Sequence, residues 1–146
     1  MNMWQFAATF FYLGKLPFAP GSWGSLGAMF LWIFIPSSYL LQMIMIIILF
    51  SIGVISSKKM AVAMNYHDPS EVVIDEAVGM WIALFMLPHS VAIYSMAFIL
   101  FRIFDILKPS FIYRVQNLPG GWGIMLDDVF AGIFVWLICQ GILTIL

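Results

Sequence analysis

The sequence contains very few charged residues: Lys, Arg, Asp and Glu together make up 9% of its 146 residues. An ordinary soluble domain carries about 25% charged residues, and a water-facing surface needs most of them. Hydrophobic residues instead make up 64% of the chain, and the mean hydropathy is +1.05. This composition excludes an ordinary soluble domain and predicts that most of the surface faces lipid. The length predicts a single domain over residues 1–146.

Cysteine, histidine and basic residues are also scarce. The only cysteine, Cys139, excludes an internal disulfide, and its apolar sequence surroundings offer nothing to activate a thiolate nucleophile. The two histidines, His67 and His89, are too far apart in sequence to indicate the paired histidines of a histidine-based phosphatase. Six basic residues and a net charge of −1 provide no basic patch, so a nucleic-acid partner is excluded.

Apolar runs separated by short breaks predict an all-α integral membrane protein with four to five transmembrane helices. A helix needs roughly 20 residues to cross the hydrocarbon core. Residues 3–13 form a shorter run, interpreted as an interfacial or re-entrant helix at the N-terminus. Residues 24–35 can cross only with their flanks or where the bilayer is thin, which leaves the count between four and five. The other predicted crossings are residues 39–57, 72–87, 91–107 and 122–146.

The distribution of basic residues predicts the orientation. Basic residues gather in cytoplasmic loops. The loops around residues 36–38 and 88–89 contain no Lys or Arg, so we expect them outside. With five crossings the N-terminus is inside and the C-terminus outside, whereas with four the side of the C-terminus is open. The residues predicted to be cytoplasmic are Lys15, Lys58, Lys59, Lys108 and Arg114.

All seven acidic residues lie between Asp68 and Asp128, either at the cytoplasmic end of a predicted crossing or in a cytoplasmic loop. An ionisable residue inside a crossing costs at least about 2.5 kcal/mol and therefore suggests a function. Crowded carboxylates stay ionised only when cations compensate them, and Mg²⁺ prefers oxygen ligands. The alternative is that the acids cap helices or pair with Arg and Lys at the interface. The predicted Mg²⁺ ligands are Asp75, Glu76, Asp105, Asp127 and Asp128.

Two further features indicate an anionic substrate. Arg102 lies three residues before Asp105, on the same helix face, where its guanidinium can reach a phosphate oxygen. An ion pair of Arg102 with Asp75 or Asp105 is equally compatible with this spacing. Glycine-rich stretches at residues 20–25 and 119–123 can turn backbone amides toward an anion, although such stretches are more often plain turns.

The acidic residues at membrane depth have two alternative interpretations. A divalent-cation transporter or channel would also place acids at membrane depth. A pore, however, needs polar residues across the whole thickness, and the outer halves of these predicted crossings are apolar. A lipid-head-group transferase would carry repeated Asp residues within one helix pair, a spacing that is absent here.

Four ordered segments resemble the phosphatidylglycerophosphatase A family. They are residues 16–26 (LPFAPGSWGSL), residues 67–69 (HDP) with 73–76 (VIDE) and 79–82 (GMWI), residues 102–109 (RIFDILKP), and residues 120–128 (GGWGIMLDD) with 131–132 (AG). The resemblance implies a multi-pass enzyme of the bacterial cytoplasmic (inner) membrane, with its active site on the cytoplasmic face. It implies Mg²⁺-dependent hydrolysis of phosphatidylglycerophosphate to phosphatidylglycerol and phosphate. The number of metal ions and the oligomeric state stay open.

The resemblance also implies roles for individual residues. As a separate mechanistic hypothesis, Asp127 or Asp128 accepts the proton of the attacking water, and an aspartyl-phosphate intermediate is the alternative. The implied catalytic residues are Asp127, Asp128, Asp75, Arg102 and Lys108. The implied phosphate-binding residues are Gly21, Ser22, Gly24, Ser25, Arg102 and Lys108.

Overall fold

The structure is a computed structural model that describes residues 2–146. Its regular structure is entirely helical over those residues, which confirms the all-α prediction. A short 3-10 turn at Leu13–Lys15 separates the first two helices. The helices are α1 (Met3–Ala8), α2 (Pro20–Trp32), α3 (Tyr39–Met64), α4 (Ile74–Leu84), α5 (Val91–Leu107), α6 (Ser110–Val115) and α7 (Gly121–Ile145).

Two of these helices, α3 and α7, are long and apolar enough to cross a membrane. Their 26 and 25 residues correspond to lengths of about 39 and 37 Å. Large apolar side chains such as Ile44, Ile47 and Ile48 point outward from α3, as expected of a helix that faces lipid. Helices α2, α4 and α5 have 13, 11 and 17 residues, so the predicted count of four to five crossings is not confirmed by helix length.

The helix bounds agree with the sequence predictions in some places and differ in others. Helix α5 has the predicted bounds, whereas α3 continues past residue 57 to Met64. The apolar run ends at Lys58, but lysine is a good helix former and its long side chain can leave the apolar layer. Within residues 3–13 only α1 is helical, because Phe10, Phe11 and Tyr12 adopt left-handed backbone angles.

Helix α4 is the central element of the fold. Nine of its eleven residues are buried, and it packs against α2, α3, α5 and α7. The indole N–H of Trp81 donates a 2.9 Å hydrogen bond to the Ala28 carbonyl of α2. At its far end, the indole N–H of Trp136 in α7 donates to the Phe85 carbonyl, also at 2.9 Å. Other helices rather than lipid therefore surround α4. Its apolar side chains are covered by protein on most faces, although the helix has only 11 residues.

The backbones of α4 and α7 touch at a pair of glycines. A Cβ atom on Gly132 would collide with the Gly79 carbonyl, and one on Gly79 would lie 2.6 Å from the Asp128 carbonyl oxygen. Small residues allow helices in membranes to approach this closely. Asp75 and Asp128 each lie four residues, about one helical turn, before a glycine of this crossing. The glycine crossing therefore brings the two carboxylates side by side.

The connecting segments separate into two groups at opposite ends of the bundle. The loops without basic residues meet through a 3.0 Å hydrogen bond between Ser37 Oγ and His89 Nε2. At the other end, Gln116 Nε2 donates a 2.7 Å hydrogen bond to Asp68 Oδ2 and joins the α3–α4 connection to the α6–α7 connection. The grouping matches the predicted division of the loops between two membrane faces, while the assignment of one face to the cytoplasm stays a prediction.

Candidate active site

Three carboxylates form a tight cluster where α4 meets α7. Asp75 lies in the first turn of α4, and Asp127 and Asp128 lie in the early turns of α7. One oxygen from each lies within 4.8 Å of the others. Their exposed fractions are 6%, 2% and 2%. Like charges this close and this buried repel one another strongly, so the cluster needs a compensating cation or shared protons.

A polar cavity of about 260 Å³ adjoins this cluster. Five carboxylates but only two cationic side chains line it, so the carboxylates outnumber the cations that could compensate them. Segments from four parts of the chain form the walls: the start of α2, the α3–α4 connection, the start of α4 and the end of α5, with one residue from α7. The lining residues are Ala19, Pro20, Gly21, Asp68, Pro69, Ser70, Val72, Asp75, Glu76, Arg102, Asp105, Lys108 and Asp128.

Both cations of the cavity are bound to carboxylates. Arg102 Nη1 donates to Asp105 Oδ2, three residues further along α5, which is one of the two ion pairs that the spacing allowed. Lys108 Nζ donates to Asp127 Oδ2 at 2.9 Å. Partial burial alone would lower the pKa of Lys108, but the nearby carboxylates, Asp127 foremost, raise that pKa above its ordinary value. Lys108 therefore stays cationic.

Several buried polar atoms of the site have no hydrogen-bond partner among residues 2–146: Asp75 Oδ1, Glu76 Oε2 and Arg102 Nε. An unsatisfied buried polar group costs about 1–3 kcal/mol, and more when it is charged. The unsatisfied carboxylate oxygens of Asp75 and Glu76 are of the type that a hard cation such as Mg²⁺ binds. The residues present therefore fit a divalent cation.

Of the two glycines predicted to bind phosphate, Gly21 lines the cavity and Gly24 does not. A Cβ atom at this position would collide with Glu76 Oε1 and lie 3.0 Å from Arg102 Nη1. The first turn of α2 thus lies directly against charged groups of the site. Any side chain at position 21 would displace these groups and change the shape of the cavity.

The other predicted phosphate-binding residues of α2 lie elsewhere. Ser25 is buried and its hydroxyl donates to the Gly21 carbonyl at 2.8 Å. Gly24 packs against Val73, where an added Cβ would lie 2.7 Å from the valine Cβ. Ser22 is absent from the cavity lining. These residues shape the start of α2, and their contact with phosphate stays a prediction.

The α3–α4 connection contributes cavity residues that were not predicted as part of the site, notably Asp68 and Ser70. Asp68 accepts the hydrogen bond from Gln116 that holds this connection in place. The sequence could have identified Asp68 as a site residue, because it lies in one of the four segments that resemble the family and among the clustered acids. Ser70 carried no signal, since a single serine in a loop is common.

Comparison with known proteins gives one consistent family. The sequence model of the family described as "Phosphatidylglycerophosphatase A" matches residues 6–143. The chain is 38% identical to the phosphatidylglycerophosphatase A of Escherichia coli over 137 residues, covering 90% of this chain and 78% of the relative. The Haemophilus influenzae protein of that name is 38% identical over 138 residues, covering 92% of this chain and 85% of the relative.

A third relative has a different printed name. The Bacteroides thetaiotaomicron protein named "Putative phosphatidylinositol-3-phosphatase" is 40% identical over 139 residues, covering 89% of this chain and 87% of the relative. No solved structure matches the chain. All three relatives are named as phosphatases of phospholipids.

Proposed function

The chain belongs to the phosphatidylglycerophosphatase A family, and on that premise we propose that it hydrolyses phosphatidylglycerophosphate to phosphatidylglycerol and phosphate with the aid of Mg²⁺. The reaction is the cleavage of a phosphoric monoester on a lipid head group. The observation that carries the proposal is the buried cluster of Asp75, Asp127 and Asp128 beside a cavity that also contains Arg102 and Lys108.

The charge of the cavity supports the metal dependence. A phosphate monoester is an anion, and the lining carboxylates, when ionised, would repel it in the absence of a bound cation. Asp75, Glu76 and Asp128 are the residues best placed to hold Mg²⁺, because two of them have unsatisfied buried oxygens and all three line the cavity. Bound Mg²⁺ would supply charge neutralisation of the phosphoryl oxygens and a more acidic water.

The side chains of the site have separate proposed roles. Arg102 and Lys108 stabilise charge on the phosphoryl oxygens, where preorganised cationic donors are most effective. Asp128 is the better candidate to accept the proton of the attacking water, since it lines the cavity. Asp127 is already held by Lys108 and by the backbone N–H of Asp128, so its role is to position Lys108.

The proposed location is the bacterial cytoplasmic membrane, with four or five crossings and the acidic site on the cytoplasmic side. The outward apolar surface of α3 and the separation of basic and non-basic loops to opposite ends support this arrangement. Helices α2, α4 and α5 would cross together with their flanking segments. A reporter fused after Lys59 is expected to stay in the cytoplasm, and its appearance outside would overturn the orientation.

The activity is tested with purified protein in detergent. Phosphate release from phosphatidylglycerophosphate is expected with Mg²⁺ and is expected to stop when a chelator is added. Phosphatidylinositol 3-phosphate and phosphatidic acid serve as parallel substrates, because the Bacteroides relative is named for the former. Faster release from phosphatidylinositol 3-phosphate would change the substrate but keep the reaction class, while release from none of the three would refute the proposal.

The site is tested with Asp75→Asn and a matched control, Glu71→Gln. Each replaces a carboxylate by an amide of the same shape, but Glu71 lies outside both the cluster and the cavity lining. Asp75→Asn is expected to reduce phosphate release by at least about a hundredfold, because metal-based charge stabilisation contributes several kcal/mol. Full activity of Asp75→Asn would refute the assignment even if the reaction itself were confirmed.

A further inference from the structure

A second groove, separate from the acidic cavity, lies between α3 and the start of α7. Its volume is about 800 Å³, and none of its lining residues belongs to the acidic cavity. The inner wall is closed where the backbone of Gly121 lies directly against the Val54 carbonyl. The residues that line this α3–α7 groove are Val54, Ile55, Lys58, Lys59, Val62, Ala63, Pro119, Gly120, Gly121 and Trp122.

The two lysines of the groove have no carboxylate within 4.0 Å among residues 2–146. The side-chain carbons of Lys58 lie beside Gly120, at 3.5 Å from where a Cβ atom would stand. Lys59 Nζ lies 3.5 Å from the centre of the Trp4 ring, which compensates a cation without neutralising it. No acidic residue lines the groove, so the positive charge of its lysines is available to an anion from outside the protein.

The rest of the groove is apolar and faces outward. Val54, Ile55 and Val62 form the wall from α3, and Trp122 forms the wall from α7 with 52% of its surface exposed. Tryptophan at this position is typical of the membrane–water interface. A free inorganic anion would gain nothing from these apolar walls, whereas a lipid would place its phosphate at the lysines and an acyl chain along the walls.

We propose that the α3–α7 groove is a binding site for an anionic phospholipid of the cytoplasmic leaflet, distinct from the site of hydrolysis. Basic pockets between transmembrane helices on the cytoplasmic side recognise anionic head groups in this way. The bound lipid has a phosphodiester and is a ligand rather than a substrate, because no acidic cluster lies in the groove. The proposal depends on the proposed orientation of α3 but not on the proposed hydrolysis.

The test measures lipid retention by native mass spectrometry of the purified full chain in mixed micelles. Phosphatidylserine is the anionic probe, since it is neither a phosphomonoester nor the product of the proposed reaction, and phosphatidylcholine of the same acyl chains is the neutral probe. Each lysine near a lipid surface contributes about fivefold to anionic-lipid affinity, so Lys58→Gln with Lys59→Gln is expected to reduce phosphatidylserine retention by about 25-fold.

Two control variants locate the binding. Lys15→Gln removes an exposed lysine outside the groove and is expected to retain phosphatidylserine as the unmodified chain does. Asp128→Asn alters the acidic cluster and is expected to leave retention unchanged, which separates this site from the site of hydrolysis. Equal retention of the two lipids, undiminished retention by the double lysine variant, or equal losses in the double variant and Lys15→Gln would each overturn the proposal.

Discussion

Replacing Asp128 by Asn is expected to make the metal-free protein more stable and the metal-bound protein less active. In the cluster, one oxygen of Asp128 lies within 4.8 Å of oxygens from Asp75 and Asp127. Two unit charges at this separation repel by about 3 kcal/mol at an effective dielectric constant of 20. Asp128→Asn relieves repulsion with Asp75 and, although Lys108 and Arg102 partly offset their charges, with Asp127 and Asp105 as well.

The assay is thermal denaturation of the detergent-solubilised protein, followed by tryptophan fluorescence, with a chelator and then with saturating Mg²⁺. The unmodified chain is expected to gain stability on adding Mg²⁺, because a ligand that binds only the folded state stabilises it. Asp128→Asn is expected to start from a higher midpoint in chelator and to gain little from Mg²⁺. Glu71→Gln, outside the cluster, is expected to behave as the unmodified chain does.

The two halves of this prediction fail separately. If Asp128→Asn lowers the midpoint in chelator, the carboxylates are not repelling one another and a shared proton or a buried hydrogen bond stabilises them. If Mg²⁺ raises the midpoint of Asp128→Asn as much as that of the unmodified chain, the metal binds elsewhere. The first result would refute the argument from repulsion, and the second would refute the assignment of the metal to this cluster.

Three further predictions concern the surroundings of the cluster. Gly21→Ala is expected to lower the free energy of unfolding by about 1–3 kcal/mol, because the new methyl group overpacks the charged wall, and to reduce phosphate release. The control is Gly141→Ala, which should be neutral or stabilising because nothing lies within 4 Å of its new Cβ atom. Melting curves and rates of phosphate release measure both. Lys108→Met is expected to reduce phosphate release by at least about tenfold, since the proposed hydrogen bond from Lys108 to a charged phosphoryl oxygen contributes about 1.5–3 kcal/mol, and steady-state kinetics measures the loss. Trp81→Phe is expected to lower stability by about 1–3 kcal/mol through the lost indole hydrogen bond while leaving the rate per folded molecule unchanged; a matching fall in rate would contradict a purely structural role.

Composition and apolar runs were sufficient to predict the helical class and most helix positions. Helix α5 has the predicted bounds because its apolar run ends sharply at Lys108 and Pro109, which also end the helix. Helix α6 was not predicted, since six residues are too few for a periodic signal. The lengths of α2 and α4 also escaped prediction, because apolar runs do not reveal where a buried helix ends.

The gathering of acids at one end of the bundle could be predicted, but only one of the two ion pairs in the site could be. Sequence spacing put Asp105 within reach of Arg102, and the structure joins them. The pairing of Lys108 with Asp127 depends on how α5 and α7 are rotated about their axes, and it joins residues 19 positions apart. That rotation follows from close packing between helices, which short-range patterns in one sequence do not encode.

If the acidic cluster binds Mg²⁺ as proposed, the contact between Gly79 and Gly132 has a consequence for ion selectivity. It fixes the distance between α4 and α7 one turn away from Asp75 and Asp128, and so the width of the opening between their carboxylates. Mg²⁺ binds oxygen at about 2.1 Å and tolerates little deviation, whereas Ca²⁺ accepts about 2.3–2.6 Å. A methyl group at position 132 would push the helices apart, and we expect the widened opening to favour the larger ion. In this fold the radius of the preferred cation would be set by two residues that have no side chains and do not touch the metal.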